Sequence, residues 1–357
     1  MRLLICTQIV DRPDSTLGFF HRWIEEFAKH CEKIIVVCLK RGEFNLPDNV
    51  YTLSLGKPAQ GWPTSGGGKL LAKFISLCRF YKYIWQERKN YDVVFVHMNQ
   101  EYILLAGLLW KFWGKRIYFW RNHYAGSFLT DLAALFCTKV FCTSRYSYTN
   151  KYYQTVIMPV GFDTDVLKNL PDLSRLPHSI LVLGRLSPSK NIHLIIEALN
   201  ELGRFGVSFT ADFYGHTPPK DLAYRERLIS RVCELGLDEI INFYPGVPNT
   251  ETRLLYARHE IVINASPSGM LDKTIFSAMG RGCLVLVSNR DLADQVPNQF
   301  IFEEGNVKDL TRALRAILAL SDIEKNNYSR ILQKFVLENH SLTNLATKLV
   351  TIMNLLV

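Results

Sequence analysis

Residues 266–288, Ser-Pro-Ser-Gly-Met-Leu-Asp-Lys-Thr-Ile-Phe-Ser-Ala-Met-Gly-Arg-Gly-Cys-Leu-Val-Leu-Val-Ser, decide the fold of this chain. The β-branched run at 260–264 before them predicts a buried strand, and apolar residues at helical spacing predict a helix over 273–279. Two glycines end that helix, and the apolar run 284–287 begins a second strand. A strand, a polar loop, a helix and a strand in this order form a parallel βαβ unit. Ligands of open α/β sheets bind at the loop that follows the first strand.

The loop of this unit carries groups that favour an anion. The first N–H groups of a helix have no partner within the helix, and the helix dipole is positive at that end. Lys273 and the hydroxyl of Thr274 stand there, which indicates an anion-binding site. An ordinary helix capped by Asp272, with no ligand, is the simpler alternative.

Residues 179–199, Ser-Ile-Leu-Val-Leu-Gly-Arg-Leu-Ser-Pro-Ser-Lys-Asn-Ile-His-Leu-Ile-Ile-Glu-Ala-Leu, repeat this design. An apolar strand ends at Gly184, and a loop with Arg185 and Lys190 precedes an amphipathic helix. Two such loops in one sheet would place two cations and two helix N-termini around one crevice. That arrangement suits a diphosphate.

Length and composition bound the class of protein. A chain of 357 residues predicts two domains, each with its own core. A hydrophobic share of 48% and a charged share of 21% exclude an intrinsically disordered chain. The longest apolar run, around 102–110, is too short to span a bilayer, and segment 1–8 predicts a first strand rather than a signal peptide. We therefore expect a cytosolic protein, whose eight cysteines form no Cys-x-x-Cys pair and are reduced core residues.

The excess positive charge lies in the first half of the chain. Residues 1–158 carry 21 Lys and Arg against 11 Asp and Glu, whereas residues 159–357 carry 21 against 22. This asymmetry indicates that the first half has an anionic partner. The candidates are a membrane surface, a phosphorylated acceptor and nucleic acid. Segment 69–88 is amphipathic, basic and aromatic, as is typical of a helix in a membrane interface. A helix that packs between domains is the alternative for this segment.

Strands and helices alternate through both halves, which predicts two doubly wound parallel sheets joined by a linker at 159–165. Residues 8–18 are predicted as a polar loop, residues 57–68 as a Gly/Pro loop, and residues 322–356 as a final helical region. Several further residues stand at predicted strand ends or helix starts, where ligands of such sheets bind. They are Gly18, His97, His123, Gly215 and the run Pro245-Gly246-Val247-Pro248.

These motifs together resemble glycosyltransferase family 4, whose GT-B fold has two facing Rossmann-like domains with the cleft between them. The resemblance covers nearly the whole chain. It rests on Gly184-Arg185-Leu186 with Lys190-Asn191, on Phe243-Tyr-Pro-Gly246-Val247, on Ser268-Gly269-x-Leu271-Asp272-Lys273-Thr274, on Ala278-Met279-x-x-Gly282, and on the linker Val160-Gly-Phe-Asp-Thr-Asp165. It implies an acceptor-binding domain over 1–160, a nucleotide-sugar-binding domain over 161–339, and a last helix near 340–357 that packs back on the first domain.

The resemblance implies transfer of a sugar from a UDP- or GDP-linked donor to an acceptor hydroxyl, with retention of anomeric configuration. It implies no cofactor and no bound metal, because protein cations neutralise the leaving diphosphate. The implied catalytic residues are Arg185 and Lys190, which clamp the diphosphate, and His123 near the donor sugar. The implied donor-binding residues are Gly18, Gly184, Gly215, Gly246, Val247, Gly269, Met270, Leu271, Asp272, Lys273, Thr274 and Ser277.

The chain departs from the family at one motif. Many relatives carry Glu-x7-Glu, whose second Glu binds the ribose hydroxyls, and the two positions here are Gly269 and Ser277. Serine makes one hydrogen bond but not the bidentate charged contact, and we hypothesise that Asp272 compensates. Asp163-Thr164-Asp165 spells the Asp-x-Asp motif of metal-dependent transferases, and we interpret it as a linker turn and helix cap.

Our first interpretation is a cytoplasmic hexosyltransferase bound peripherally to the anionic inner face of the plasma membrane. Its acceptor is a lipid-linked glycan in surface polysaccharide biosynthesis. The alternatives are a soluble transferase for a small phosphorylated acceptor and a non-catalytic nucleotide-sugar-binding relative, the latter motivated by Ser277. Nucleic acid is not an expected partner, because no recognised nucleic-acid motif accompanies the charge. A dehydrogenase is excluded because no Gly-x-Gly-x-x-Gly follows a strand.

Overall fold

A computed structural model of the protein describes residues 1–14, 17–58, 67–167, 174–248, 251–269 and 271–355. The chain forms two compact units. Unit 1 comprises Met1–Gly161 together with Leu342–Val357, and unit 2 is the continuous segment Phe162–Ser341. Each unit is an α/β domain built on one parallel sheet.

Unit 1 contains a seven-stranded sheet in which every neighbouring pair runs parallel. Its strands are β1 (Arg2–Val10), β2 (Lys33–Arg41), β3 (Val50–Ser54), β4 (Val93–His97), β5 (Arg116–Trp120), β6 (Lys139–Cys142) and β7 (Thr155–Ile157). Their order across the sheet is β3-β2-β1-β4-β5-β6-β7, which is the doubly wound order around β1. The central strand β4 is buried at every position, because helices cover both faces of the sheet.

Five α-helices within the described residues cover the two faces of this sheet. They are α1 (Phe19–Ala28), α2 (Gly67–Gln86), α3 (Gln100–Phe112), α4 (Phe128–Leu135) and, from the far end of the chain, α11 (Leu342–Asn354). Helices α1 and α11 share one apolar core, which contains Trp23 and Leu345. Helices α2, α3 and α4 share the core on the opposite face, which contains Phe80 and Trp110. The last helix of the chain therefore completes the first domain.

The first strand is longer than the sequence predicts. The polar loop predicted over 8–18 begins only after Val10, because β1 continues through this part of the chain. Ile9 and Val10 pair with Lys40 and Arg41 of β2. Ladder hydrogen bonds to a neighbouring strand thus outweigh the polar composition that suggested a loop.

Unit 2 contains a five-stranded parallel sheet of order β10-β9-β8-β11-β12. The strands are β8 (Leu176–Leu183), β9 (Thr210–Tyr214), β10 (Ile241–Tyr244), β11 (His259–Asn264) and β12 (Leu284–Val287). The helices are α5 (Ile192–Arg204), α6 (Leu222–Glu234), α7 (Thr252–Arg258), α8 (Lys273–Gly280), α9 (Val307–Leu318) and α10 (Asp322–His340). The predicted βαβ unit is β11-α8-β12, and it is confirmed, including the end of its helix at Gly280.

The predicted final helical region consists of two helices with a break at Ser341. The backbone N–H of Phe162 donates to the carbonyl of His340 (2.6 Å), and Phe162 forms a parallel bridge with Ser341. This pairing ends α10 and lets the chain continue as α11 in unit 1. Among the described residues, no helix is long and apolar enough to cross a membrane.

Candidate functional site

Three glycines lie side by side at the carboxyl edge of the unit 2 sheet, immediately after β8, β9 and β10. Gly184 donates its N–H to the carbonyl of Tyr214 (3.0 Å), and Gly215 donates to the carbonyl of Tyr244 (3.2 Å). A Cβ atom on Gly215 would lie 1.9 Å from the carbonyl oxygen of Gly184, and one on Gly246 would lie 2.9 Å from the nearest backbone nitrogen. Close packing of these loops therefore requires glycine at Gly215, whether or not a ligand binds there.

Lys190 is held in a mostly buried polar cluster at the same edge. Its Nζ donates to the hydroxyl of Ser266 (3.0 Å) and to the carboxylate of Asp272. The side chains of Lys190 and Asp272 are only 12% and 14% exposed. Asn191 follows in the left-handed region (φ +51°) and donates from its amide to the carbonyl of Ala265 (3.0 Å), which ties the β8–α5 loop to the end of β11.

Asp272 is the N-cap of α8. One carboxylate oxygen accepts from the backbone N–H of Thr274 (3.1 Å), and the other accepts from the amide of Asn264 (3.2 Å). The same amide donates to the hydroxyl oxygen of Thr274 (3.0 Å). Burial alone would raise the pKa of Asp272, but Lys190 and these hydrogen bonds outweigh it and lower the pKa to about 2. We call Lys190, Asn264, Ser266, Asp272 and Thr274 the Lys190 cluster.

The helix N-terminus predicted to bind an anion already has one. The Asp272 carboxylate accepts from the Thr274 N–H in the first turn of α8 and neutralises Lys190 at the same time. The simpler prediction, a helix capped by Asp272, is thus confirmed for the side chain. An external anion at this helix N-terminus would have to share or replace these contacts.

Arg185 differs from Lys190 in its surroundings. It lies in the same small depression, which is also lined by Gly184, Lys190 and Ser266, but its side chain is exposed. Its guanidinium has no hydrogen bond or ion pair within the described part of the chain. An exposed guanidinium beside a buried ammonium offers a bidentate contact for a phosphate group.

The loop before Asp272 is fixed by a carboxylate that the sequence analysis missed. The N–H and hydroxyl of Ser268 both donate to Glu304 (3.3 Å each), and the Ser268 hydroxyl accepts from the N–H of Arg290 (3.0 Å). Gly269 follows with φ +93° and Leu271 is buried, whereas Met270 lies outside the described residues. No motif in the sequence marks Glu304, which stands 36 residues after Ser268.

Ser277 is half-buried on α8. It lies close to the buried Tyr256, whose hydroxyl donates to the carbonyl of Thr274 (3.5 Å) and whose pKa is raised by burial. The carbonyl of Ser277 accepts from the guanidinium of Arg281 (3.1 Å), and this guanidinium lies 5.1 Å from the ring centroid of Tyr256. Ser277 therefore stands next to a buried tyrosine and an arginine of unit 2.

Lys273 is half-buried at the start of α8, with its Nζ atom buried, and it takes no part in the hydrogen bonds that define the Lys190 cluster. Burial lowers the pKa of Lys273 well below its ordinary value, and the carboxylate of Asp163 opposes this shift. Asp163 also accepts from the N–H of Asp165 (3.1 Å) before the short 3-10 helix Thr164–Leu167, as expected of a turn and cap. Among the described residues, no group of three or more His, Cys, Asp or Glu is placed to hold a metal ion.

Three of the predicted site residues, Gly18, His123 and Val247, lie outside the Lys190 cluster. Gly18 precedes α1, and a Cβ there would lie 2.5 Å from the carbonyl oxygen of Asp14, so local packing requires glycine. His123, in unit 1, contacts Ala125 through Nδ1, which lies 2.9 Å from the backbone nitrogen and 3.2 Å from the carbonyl oxygen of that residue. Val247 is half-buried in the loop after β10. The predicted residues that lie close together are Gly184, Arg185, Lys190, Asp272 and Thr274, all in unit 2.

A segment of unit 2 matches a known protein family. Residues 175–333 match the family model described as glycosyl transferases group 1. This range contains the Lys190 cluster, Arg185 and Glu304, and the match supports a glycosyltransferase. No curated protein matches the sequence.

Solved structures similar to the whole chain identify the fold. The UDP complex of Anabaena Alr3699/HepE is 17% identical, with 99% of each chain covered and a TM-score of 0.76. A sucrose-phosphate synthase from Thermosynechococcus elongatus is 16% identical, with 99% of each chain covered and a TM-score of 0.75. WaaG, a glycosyltransferase involved in lipopolysaccharide biosynthesis, is 15% identical, with the same coverage and a TM-score of 0.68. The fold is GT-B, as predicted, with one Rossmann-like domain in each unit.

Proposed function

We propose that the protein is a retaining glycosyltransferase of the family 4 type, which moves a hexose from UDP- or GDP-sugar to an acceptor hydroxyl without a bound metal. The observation that carries this proposal is the Lys190 cluster beside the exposed Arg185. Both lie in the segment that matches the group 1 model. The solved structures of Alr3699/HepE with UDP and with UDP-glucose support a uridine nucleotide.

The chemistry follows from charge. When the sugar leaves its donor, the bond from the anomeric carbon to the β-phosphate breaks and negative charge collects on the diphosphate. Lys190 exchanges its contact with Asp272 for a phosphate oxygen, and Arg185 adds a bidentate contact from solvent. The acceptor oxygen bonds to the anomeric carbon and its proton leaves with the diphosphate. The Gly269–Thr274 loop holds the sugar and β-phosphate, and the His123 ring contacts the sugar.

The acceptor is proposed to be a glycan carried on a lipid, because one helix layer of unit 1 is unusually apolar on its outside. Helices α2, α3 and α4 bury one side against the sheet. Large apolar side chains on the other side of the same helices are more than two-fifths exposed. They are Leu70, Leu71, Phe74, Ile75, Trp85, Leu105, Leu108, Phe112, Phe128, Leu129 and Leu135. We call this set the outer apolar surface.

Cations accompany the outer apolar surface. Lys69, Lys73 and Lys82 are exposed on α2, and the guanidinium of Arg88 lies 4.4 Å from the ring centroid of Trp85. Exposed apolar side chains beside lysines are typical of a helix layer that rests in an anionic membrane interface. We propose that unit 1 rests peripherally on the inner face of the plasma membrane, where a lipid-linked acceptor would be found.

A second candidate function is binding of a nucleotide-sugar without catalysis. The observation that favours it is that Ser277, beside the buried Tyr256, stands at the position where many relatives carry the ribose-binding Glu. A protein of this kind would bind the donor but neither hydrolyse nor transfer its sugar.

The experiment is a thermal-shift panel of UDP- and GDP-sugars, followed by a donor-hydrolysis and transfer assay with any sugar that raises the melting temperature. A shift with one nucleotide together with turnover is the expected result. A shift without turnover, in the presence of membrane lipid extract as acceptor source, would favour the binding-only candidate. Absence of any shift would contradict both.

A further inference from the structure

Unit 2 has a second concave site that the proposed reaction does not use. A groove of about 940 Å³ lies between the C-terminal end of α5 and one side of α9. We call it the α5–α9 groove. Its lining includes His178, Arg204, Phe205, Lys308, Arg312 and Arg315. This volume is within the range of pockets that bind small molecules, on the order of 300–1,000 Å³.

The α5–α9 groove is remote from the Lys190 cluster. His178 stands near the start of β8, whereas Gly184 follows the end of that strand. Arg204 ends helix α5, whose N-cap Asn191 adjoins Lys190. Six residues of strand and thirteen of helix each span roughly 20 Å. A ligand in the groove would therefore lie at the amino edge of the sheet, opposite the candidate donor site.

Positive charge is concentrated in the groove. Four cationic side chains line it, and Arg204, Lys308 and Arg315 have no carboxylate partner within the described residues. Arg312 is paired with Asp309 (2.6 Å), and one carboxylate, Glu201, also lines the groove. Unit 2 as a whole, residues 162–341, carries 20 Lys and Arg against 22 Asp and Glu. The cations are thus a local feature rather than part of a basic domain, and they favour an anionic ligand.

An exposed ring lies among these cations. The side chain of Phe205 is 58% exposed, and the guanidinium of Arg315 lies 4.1 Å from its ring centroid. Stacking on the ring orients the planar guanidinium and leaves its N–H edge available for a bidentate contact. The part of the Phe205 ring that Arg315 leaves uncovered offers a flat apolar surface beside the charge.

His178 adds a polar group at the edge of the groove. It adopts a left-handed backbone conformation (φ +57°), which is uncommon for a residue other than glycine. Its N–H donates to Glu260 (3.0 Å), and its Nδ1 donates to the carbonyl of Ser208 (2.9 Å). The backbone of His178 is thus held by Glu260 and its ring by Ser208, and Nε2 is left for a ligand.

We propose that the α5–α9 groove binds a soluble small molecule that carries a phosphate group and a flat ring. Arg204, Lys308 and Arg315 contact the phosphate, and Phe205 contacts the ring. Nucleoside phosphates have this chemistry. Because the groove is remote from the Lys190 cluster, this second site is independent of the donor site.

The test is calorimetric titration of AMP, and separately of pyrophosphate, into the wild type and four variants, two of them double and two single. We expect Arg204→Ala/Arg315→Ala to weaken both ligands by at least about tenfold. The matched control Lys220→Ala/Arg227→Ala, which removes the same charge from exposed positions of unit 2, keeps wild-type affinity. Arg185→Ala reports on the donor site and leaves AMP affinity unchanged. Phe205→Ala weakens AMP but not pyrophosphate.

Several results would overturn the proposal. They are no AMP binding to the wild type, equal losses in the groove and control variants, or a loss confined to Arg185→Ala. Binding to phosphatidylglycerol vesicles tests whether the phosphate belongs to a lipid headgroup rather than to a soluble molecule. If the groove variant lost vesicle binding and kept AMP binding, the assignment to a soluble ligand would be wrong.

Discussion

Lys190 and Asp272 come from loops 82 positions apart, and their side chains form an ion pair that is seven-eighths buried at the N-terminus of α8. The carboxylate caps the helix and neutralises the ammonium in one contact. Breaking such a pair by removing one partner leaves a buried charge and is strongly destabilising. Lys190 therefore has two roles in the proposed function: it stabilises unit 2, and it binds a phosphate group of the donor.

Arg185 and Lys190 both bind the diphosphate by the family resemblance, but only Lys190 also stabilises the fold. We expect Arg185→Ala to weaken UDP binding by about tenfold with an unchanged melting temperature, because Arg185 is exposed and has no partner among the described residues. Lys190→Ala should weaken UDP and also lower the melting temperature, because Asp272 is left unpaired. Calorimetric titration of UDP and thermal unfolding check both effects. An Arg185→Ala protein that binds UDP normally would remove Arg185 from the donor site.

The low pKa of Asp272 predicts a specific acid sensitivity. The pKa in the folded state, about 2, lies below the ordinary value of 3.8, so the ionised carboxylate stabilises the fold at every pH above about 4. That contribution, about 2 kcal/mol, is lost as the pH falls from about 4 to about 2. Asp272→Asn keeps a helix cap but should lack this part of the pH dependence in urea unfolding.

Asp238→Asn, at an exposed position of unit 2, is the matched control and should keep the wild-type slope below about pH 4. An Asp272→Asn protein whose stability falls with acid as steeply as the wild type would show that the ion pair does not form in solution. The same variant tests the hypothesis that Asp272 compensates for the missing ribose-binding Glu, since that role requires a sharp rise in the KM for donor.

Ser277→Ala tests whether the Ser277 hydroxyl contacts the ribose. The buried Tyr256 hydroxyl keeps its acceptor, the carbonyl of Thr274 (3.5 Å), so we expect the free energy of unfolding to change by less than about 1 kcal/mol. UDP affinity should change by less than about twofold. The measurements are urea unfolding and UDP titration. The control Ser329→Ala removes a hydroxyl that is hydrogen-bonded to the carbonyl of Gly282 and should lower stability. Weaker UDP binding at unchanged stability would instead place Ser277 on the ribose.

The outer apolar surface predicts binding to anionic vesicles. Phe74→Ser/Leu108→Ser/Phe112→Ser removes three side chains that are 60%, 74% and 86% exposed, so the fold should persist while vesicle partitioning falls at least about tenfold. Vesicle sedimentation measures partitioning, and the thermal shift with UDP should remain. The control Leu222→Ser/Leu254→Ser/Ile323→Ser removes exposed apolar residues of unit 2. Equal partitioning of all three proteins would contradict a membrane role for α2 and α3.

The sequence predicted the features that depend on local pattern. Apolar periodicity placed α8 between β11 and β12, and the glycine after Met279 marked its end. The charge asymmetry and the amphipathic pattern of 69–88 likewise indicated α2. Five large apolar side chains of this helix are exposed in the structure, whereas Phe80 and Ile84 are buried. Such features are predictable because one segment carries both the pattern and its consequence.

Features that depend on partners distant in sequence were not predictable. Asp272 was recognised as a cap, but only the fold shows that it also takes Lys190. Glu304 fixes the loop at Ser268 although it lies 36 residues away in sequence, and no sequence motif identifies this residue. The extension of β1 through Val10 likewise depends on pairing with β2, which a polar local sequence does not reveal.

The position of α11 in unit 1 sets an order of events during synthesis. Unit 2 is continuous and can fold as soon as Ser341 has emerged from the ribosome. The core around Trp23 includes Leu345, Leu349 and Met353, so one face of the first sheet is covered only in part, by α1, until α11 has been synthesised. The domain that is translated first is thus completed last, and until then its apolar face needs protection from aggregation.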